Sequence, residues 1–483
     1  MDENTPLINT GPTRTSNSRL FLAVFSAVLG NFNFGFSMVY PSPVIPQLRV
    51  IDNPRLRMDT QQVAWFGSIF SLGAVSGGLG AMLLNDRMGR KLSIMASAVP
   101  CSVGYLVMGA AQEVWMLHLG RFLTGIAAGM TAASIPVYVS EISHPAVRGV
   151  LGSTPQMTGV CGSLVLYALG LVLPWRWLAV AGEVPTVLMV LLLCFMPDSP
   201  RYLIAQGKED HAHRALAWLR GPGADIASEF NRIKQSIAAQ SRVSWAELGK
   251  PFYYKPILIS VVMRFLQQMT GITPILVYLE PIFHLTRVSL EPRYDATLVG
   301  AVRLLSVIIA ASLMDKAGRK ALLFTSGFLM FLSTLTMGVY SHTTPCPSNT
   351  STPQPELPSP MTTPFDPTTL IPLISTMFII FGYAMGWGPI TWLLMSEVLP
   401  LSARGVASGL CVGVSWVTAF VLSQLFMHVV EAWGLFAPFL FFCVVCVINI
   451  IFTAVCVPET RGRSLEEIEN YFRTGRTFTI SET

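Results

Sequence analysis

The chain has 483 residues, of which 52% are hydrophobic and only 12% charged. Soluble domains carry roughly 25% charged residues, about twice this share, so the composition excludes an ordinary soluble enzyme and places most of the chain in lipid. The formal net charge of +5 does not mark a nucleic-acid partner, because the bases sit in short clusters between apolar runs, as in the cytosolic loops of membrane proteins.

A polar stretch, 1–19, opens the sequence. It is expected to be a cytosolic tail and not a cleavable signal peptide. Glu3, Leu7 and Ile8 stand in the acidic-dileucine arrangement that clathrin adaptor complexes read as an endosomal or lysosomal address; an unstructured tail is the alternative. Crossing about 30 Å of hydrocarbon at about 1.5 Å per residue takes roughly 20 apolar residues. Such runs begin near Leu20, Gln62, Leu92, Trp115, Ser153 and Trp177, and again near Pro256, Ala296, Ala321, Leu370, Val406 and Leu435, twelve in all. An even count puts both termini on one side. The basic clusters Arg87, Arg90 and Lys91, then Lys316, Arg319 and Lys320, then Arg461 and Arg463 make that side cytosolic, against the weaker vote of Arg49, Arg55 and Arg57 opposite.

The predicted fold is all-α and membrane-embedded: a six-helix bundle over 20–196, a cytosolic helical linker over 197–255, a second six-helix bundle over 256–457, and a cytosolic tail over 458–483. Within the linker, 212–219 and 225–239 carry helical patterns. The loop 341–369 is rich in Pro, Thr and Ser and faces the lumen. It holds the only N-x-S/T sequon, Asn349 with Ser351, on the side where glycosylation requires it. Ser464 and Glu467 form a capping box that starts a short helix through Tyr471.

Seven of the eight cysteines lie in apolar runs and only Cys346 lies in a hydrophilic stretch, so no disulfide framework is expected. The CxxC pair Cys443 and Cys446 reads as small hydrophobes. No HExxH, Walker loop or nucleophile elbow occurs, and His211 and His213 point to different helix faces, so neither a cofactor nor a metal nor enzymatic chemistry is expected.

Duplication is the most specific signal. The segment 86–91, DRMGRK, follows the second span and 315–320, DKAGRK, follows the eighth. Ser140-Glu141 with Arg148-Gly149 follows the fourth, and Ser396-Glu397 with Arg404-Gly405 follows the tenth. Both repeats sit six spans apart, so the chain is two halves on one plan. Bases alone would serve as membrane anchors, but the recurrence of acids beside them points to ion-pair latches formed from Asp86, Arg90, Glu141 and Arg148, and from Asp315, Arg319, Glu397 and Arg404.

These repeats, together with Gly120-Arg121, PDSPR at 197–201, QQMTGI at 267–272 and PETRGR at 458–463, resemble the sugar porters of the major facilitator superfamily from about Leu20 to Phe472. The sequon after the ninth span and the N-terminal dileucine are similar to the class III facilitative glucose transporters. The resemblance implies a hexose carrier that works by alternating access, resident in endosomal or lysosomal membranes or at the plasma membrane.

A sugar needs neutral donors and acceptors and an apolar surface for its ring. The amides Gln156, Gln267 and Gln268 would cost free energy in lipid and are expected to face the bundle interior, with helix packing as the alternative role. The resemblance makes them sugar contacts, together with Trp392 and Trp416, beside a tenth span that Pro389 and its neighbouring glycines can break. Three positions depart from the glucose class: Thr273 replaces an Asn, Val277 precedes Tyr278 where two tyrosines are common, and Arg303 replaces an uncharged amide. A cation in the bilayer centre costs roughly 2.5 to 3.5 kcal/mol, so Arg303 either snorkels or faces a wet cavity. These departures leave the sugar open, an anionic or phosphorylated one included. Similar proton symporters carry a carboxylate after the Phe-Gly-Tyr of the first span, where this chain has Ser37, which favours uniport. Glu183 in the sixth span has no assigned role. A proton-coupled symporter and a non-transporting sugar sensor are the alternatives.

Overall fold

The computed structural model describes residues 17–144, 147–239, 246–286, 290–345, 366–399, 404–460 and 465–474. Among the described residues, ten helices are long and apolar enough to cross a membrane: Ser18–Arg49, Thr60–Met88, Arg90–Gly109, Val114–Ile142, Trp175–Leu193, Pro292–Met314, Arg319–Thr343, Pro367–Met395, Gly405–Trp433 and Phe436–Cys456. Two more complete twelve spans: the fifth, Arg148–Leu169, and the seventh, which runs as Pro251–Met269, Ile272–Val277 and Leu279–His284. The two less apolar spans are the ones that carry Gln156 and the Gln267–Gln268 pair. Their polarity is the signature of a wet interior face, since lipid leaves unsatisfied polar groups no partner.

Packing follows the duplication. The first span packs on the fifth, the second on the fourth and the third on the sixth; the seventh packs on the eleventh, the eighth on the tenth and the ninth on the twelfth. Each pairing in one half thus recurs in the other, six spans later. The halves meet through two seams, second with eleventh and fifth with eighth, which also exchange under that shift.

Local sequence explains several of these helices. The second span starts on a capping box in which the Asp59 carboxylate accepts from the Gln62 amide at 2.8 Å and Gln62 Oε1 accepts from the Asp59 amide at 3.1 Å. Its stripe of Gly73 and Gly77 lies against Gly125 and Gly129 of the fourth span so closely that a Cβ on Gly77 would run into the Ile126 carbonyl. Replacing Gly77 with Val is therefore expected to destabilise this half by roughly 1 to 3 kcal/mol. Thermal unfolding of the purified chain would show it as a lowered midpoint, and an unchanged midpoint would contradict the close packing.

Between the halves run helices Pro200–Ala205, Glu209–Arg220 and Ile226–Ala239, packed through Tyr202, Leu216 and Phe230. Arg220 clamps this linker to the fourth span: it binds Glu229 at 2.7 Å and donates to the Ile142 carbonyl at 2.9 Å. The closing helix, Leu465–Thr474, lies against the seventh and tenth spans. Its expected capping residues, Ser464 and Glu467, lie outside the described side chains, and Glu3, Leu7, Ile8 and Asn349 lie outside the described residues.

The halves are tied together on the face away from the linker. Tyr167 of the fifth span donates to the Leu276 carbonyl at 2.8 Å, and Arg293 of the eighth reaches the Leu171 carbonyl at 3.3 Å. The Tyr278 hydroxyl lies 3.3 Å from the Ala64 carbonyl of one half and 3.0 Å from the Ser423 carbonyl of the other, and the Glu280 amide donates to Ser42. Toward the linker face, added Cβ atoms at Gly149 and Gly152 of the fifth span would meet open space, whereas one at Gly409 of the eleventh span would meet Met82 of the second.

Candidate functional site

The polar side chains of the spans converge where the seventh, tenth and eleventh helices meet. Two breaks create the geometry. Gly271 adopts φ +82°, a left-handed conformation that ends the first segment of the seventh span, and Gly386-Trp387-Gly388 interrupts the tenth between Met385 and Pro389. The second break frees carbonyls, and Gln267 takes them: its amide nitrogen donates to Trp387 O at 2.9 Å, Gly388 O at 3.2 Å and the Tyr383 hydroxyl at 3.0 Å. Its amide donors are thus committed to the protein. Gln268 differs. It donates to Ser415 at 3.0 Å and accepts from Thr273 at 2.9 Å, which leaves one N–H and one lone pair for a ligand.

Trp416 is half-buried on the eleventh span, edge-on to Phe34 and Phe70 of the other half with ring centroids 5.7 and 6.4 Å away. Trp392 exposes part of its ring, while the Arg264 guanidinium lies 3.8 Å from the ring centroid. Gln156 is exposed, and its helical stripe runs through Val160, Ser163 and Tyr167, which contact the other half. It therefore lies on the face of the fifth span turned toward the other half, nearer the linker end. Arg303 points inward, its Nη1 donating to Ser163 across the seam at 3.3 Å.

Sequence reasoning overlooked Arg264 and Tyr383. Arg264 is 3% exposed and bonds to Gln267 and to Ser415. The signal was present, since a cation three residues before an intramembrane amide pair is itself a marker of function.

The repeated motifs come together on the linker face. Arg90 reaches Glu141 at 3.2 Å, and Arg319 reaches Glu397 at 3.1 Å. Each acid also accepts a hydroxyl from the segment after its half's last span, Ser199 for Glu141 and Thr460 for Glu397. Asp198 and Glu459 extend the parallel by accepting from the Lys91 amide and the Arg319 and Lys320 amides, respectively. Burial holds the Asp198 carboxyl above its ordinary range although Lys91 and Arg90 are near. Each clamp lies within one half. Arg148 instead donates to the Ser143 carbonyl, and Asp86 is exposed; the side chains of Asp315 and Arg404 lie outside the described ones.

Two cavities are separate from this convergence. One of about 10 Å³ inside the first half, lined by Asn33, Cys101 and Thr186, has room for one water at most. Another of about 620 Å³ opens on the linker face beside Glu141, Arg148 and Arg232.

The "Sugar (and other) transporter" family model matches residues 23–472. The chain belongs to this sugar transporter family. It is 59% identical to the Homo sapiens solute carrier family 2, facilitated glucose transporter member 6, covering 95% of this chain and 92% of that one. It is 40% identical to the Bos taurus facilitated glucose transporter member 8, covering 98% of each. The inward open conformation of the xylose transporter XylE from E. coli superposes with a TM-score of 0.77 at 21% identity, covering 93% of this chain and 99% of that one. That likeness establishes the twelve-helix major facilitator fold, as predicted for this family member.

Proposed function

We propose that the chain is a facilitative hexose carrier that works by alternating access and moves its solute as a uniporter. The observation that carries this reading is a polar site on broken helices between two matched halves that are bonded to each other on the face away from the linker. Sugar hydroxyls would meet the spare donor and acceptor of Gln268 and the exposed amide of Gln156, with Trp392 and Trp416 offering ring surface. Gln267, Thr273 and Arg264 hold these groups in place.

Uniport is supported by the surroundings of Arg121. This fully buried guanidinium donates to the Phe66, Ser37 and Met38 carbonyls and lies over the Phe66 and Phe70 rings. Ser37 stands where similar symporters carry the proton-binding acid, and Glu183 is engaged elsewhere, by Ser102. Purified protein in liposomes is expected to show saturable hexose flux down a gradient. Accumulation of hexose driven by acidification would replace this reading with symport.

The clamps around Glu141 and Glu397 act, in this reading, as latches that set the balance between states. Glu397→Gln removes the charge that Arg319 faces and is expected to shift that balance 3- to 10-fold, since a buried pair loses more than its exposed counterpart. Accessibility labelling on the two faces measures it, and an unaltered labelling ratio leaves the clamps as scaffolding only. The basic clusters support a cytosolic linker face. Asn349 is proposed as a glycosylation acceptor, and Glu3, Leu7 and Ile8 as an adaptor-read address for endosomal or lysosomal membranes.

A further inference from the structure

The interior of the C-terminal half holds more positive charge than a neutral sugar needs. Arg264 is nine-tenths buried or more, and its Nε has no hydrogen-bond partner. Its other contacts are neutral: Gln267, Ser415 and the Trp392 ring. Arg303 enters from the eighth span, and among the described residues its hydrogen-bond partner is Ser163. Tyr383 lies within electrostatic reach of both guanidinia and accepts from Gln267 at 3.0 Å, so it joins the two arginines into one cluster. The titratable groups near Arg264 are Tyr383 and Cys411, and those near Arg303 are Tyr167 and Tyr383. Phenols and thiols are neutral at physiological pH, so among the described residues neither guanidinium is paired with a carboxylate.

Arg121 shows how a buried arginine is satisfied without one: three carbonyls and two rings surround it. Arg264 and Arg303 lack that enclosure. Burying an uncompensated charge costs several kcal/mol, and an arginine fork is suited to two ligands above others, carboxylate and phosphate. Arg264 and Gln268 both bond to Ser415, and Gln268 keeps a free donor and acceptor.

We propose that this site takes an anionic sugar, a hexose bearing a carboxylate or a phosphate, with its charge between Arg264 and Arg303 and its hydroxyls at Gln268. The inference rests on the transport reading and narrows its substrate class. Thermal-shift titration of the purified full chain with glucuronate, glucose 6-phosphate, inorganic phosphate and glucose tests it, alongside glucose flux in liposomes. Glucuronate or glucose 6-phosphate is expected to bind at least tenfold tighter than glucose, and the stronger of the two identifies the anion. Inorganic phosphate alone should bind more weakly than the favoured sugar.

Arg303→Gln and Arg264→Gln should each erase most of that preference, read as the anion-to-glucose affinity ratio, while Arg264→Lys should retain part of it. Binding of glucose equal to or tighter than both anionic sugars overturns the inference but leaves the transport reading intact if glucose flux is saturable. A preference that survives both glutamine substitutions also overturns it. Absence of flux together with absence of binding removes the transport reading as well.

Discussion

Replacing Gly271 with Ala is expected to abolish most transport and to destabilise the C-terminal half by roughly 2 to 5 kcal/mol. Two independent costs add. An L-residue forced into the left-handed conformation at φ +82° costs roughly 1 to 2 kcal/mol. A Cβ at this position would also overlap the Phe442 ring of the twelfth span, and overpacking of that kind costs roughly 1 to 3 kcal/mol. The break matters for function because it turns the chain between Gln268, which reaches Ser415, and Thr273, which returns to Gln268. A double-variant cycle separates the terms: Phe442→Leu added to Gly271→Ala should recover the steric share and none of the backbone share. Full thermal stability and wild-type hexose flux in the single variant would refute this account of the break.

The second large effect concerns the closed face. Tyr167 and Tyr278 are fully or almost fully buried, and their hydroxyls bond across the seam to Leu276 O and Ala64 O. Each hydrogen bond contributes about 0.5 to 1.5 kcal/mol to the state that makes it. When this face opens, water can satisfy the same carbonyls, so the bonds favour closure only. Tyr167→Phe with Tyr278→Phe is therefore expected to shift the equilibrium by roughly 1 to 2 kcal/mol, about 5- to 30-fold, toward opening on the face away from the linker. Tyr278 divides its single proton between Ala64 O at 3.3 Å and Ser423 O at 3.0 Å, so its own contribution belongs at the low end. Faster labelling of a reporter cysteine on that face, with slower labelling on the linker face, is the expected result. Unchanged rates on both faces would show that apolar packing alone holds the closure.

The two predictions reflect one design. Helix breaks expose backbone carbonyls inside the protein, and side chains from neighbouring spans cover them. Gln267 covers the break in the tenth span, and Arg121 covers carbonyls of the first two spans. In lipid these groups have no water to turn to, so each amide or guanidinium has a structural duty before any ligand arrives. This explains why Gln267, expected from sequence as a sugar contact, has its donors committed to Tyr383, Trp387 and Gly388, while Gln268 beside it keeps capacity to spare.

Much of the fold was legible because the bilayer makes the reading local. Twelve apolar runs, two amide-bearing spans among them and a motif set repeated six spans apart are properties of neighbouring residues, and a hydrocarbon slab about 30 Å thick converts them directly into helices. The repeat likewise identified Arg90, Glu141, Arg319 and Glu397 as a set, since duplicated charge in two halves implies duplicated contact.

Partner choice was not legible. That Arg90 meets Glu141 while Arg148 turns to Ser143, that Asp198 and Glu459 cap the third and ninth spans, and that Arg264 lies over Trp392 all depend on which helix faces meet. Hydropathy and motif spacing determine that a segment crosses the membrane and which of its faces is wet. They do not determine the rotation and depth of one span against another, because those follow from close packing between residues hundreds of positions apart. The architecture and family of this protein were thus decided by sequence alone, and the occupied and vacant hydrogen-bonding positions of its central site by tertiary packing.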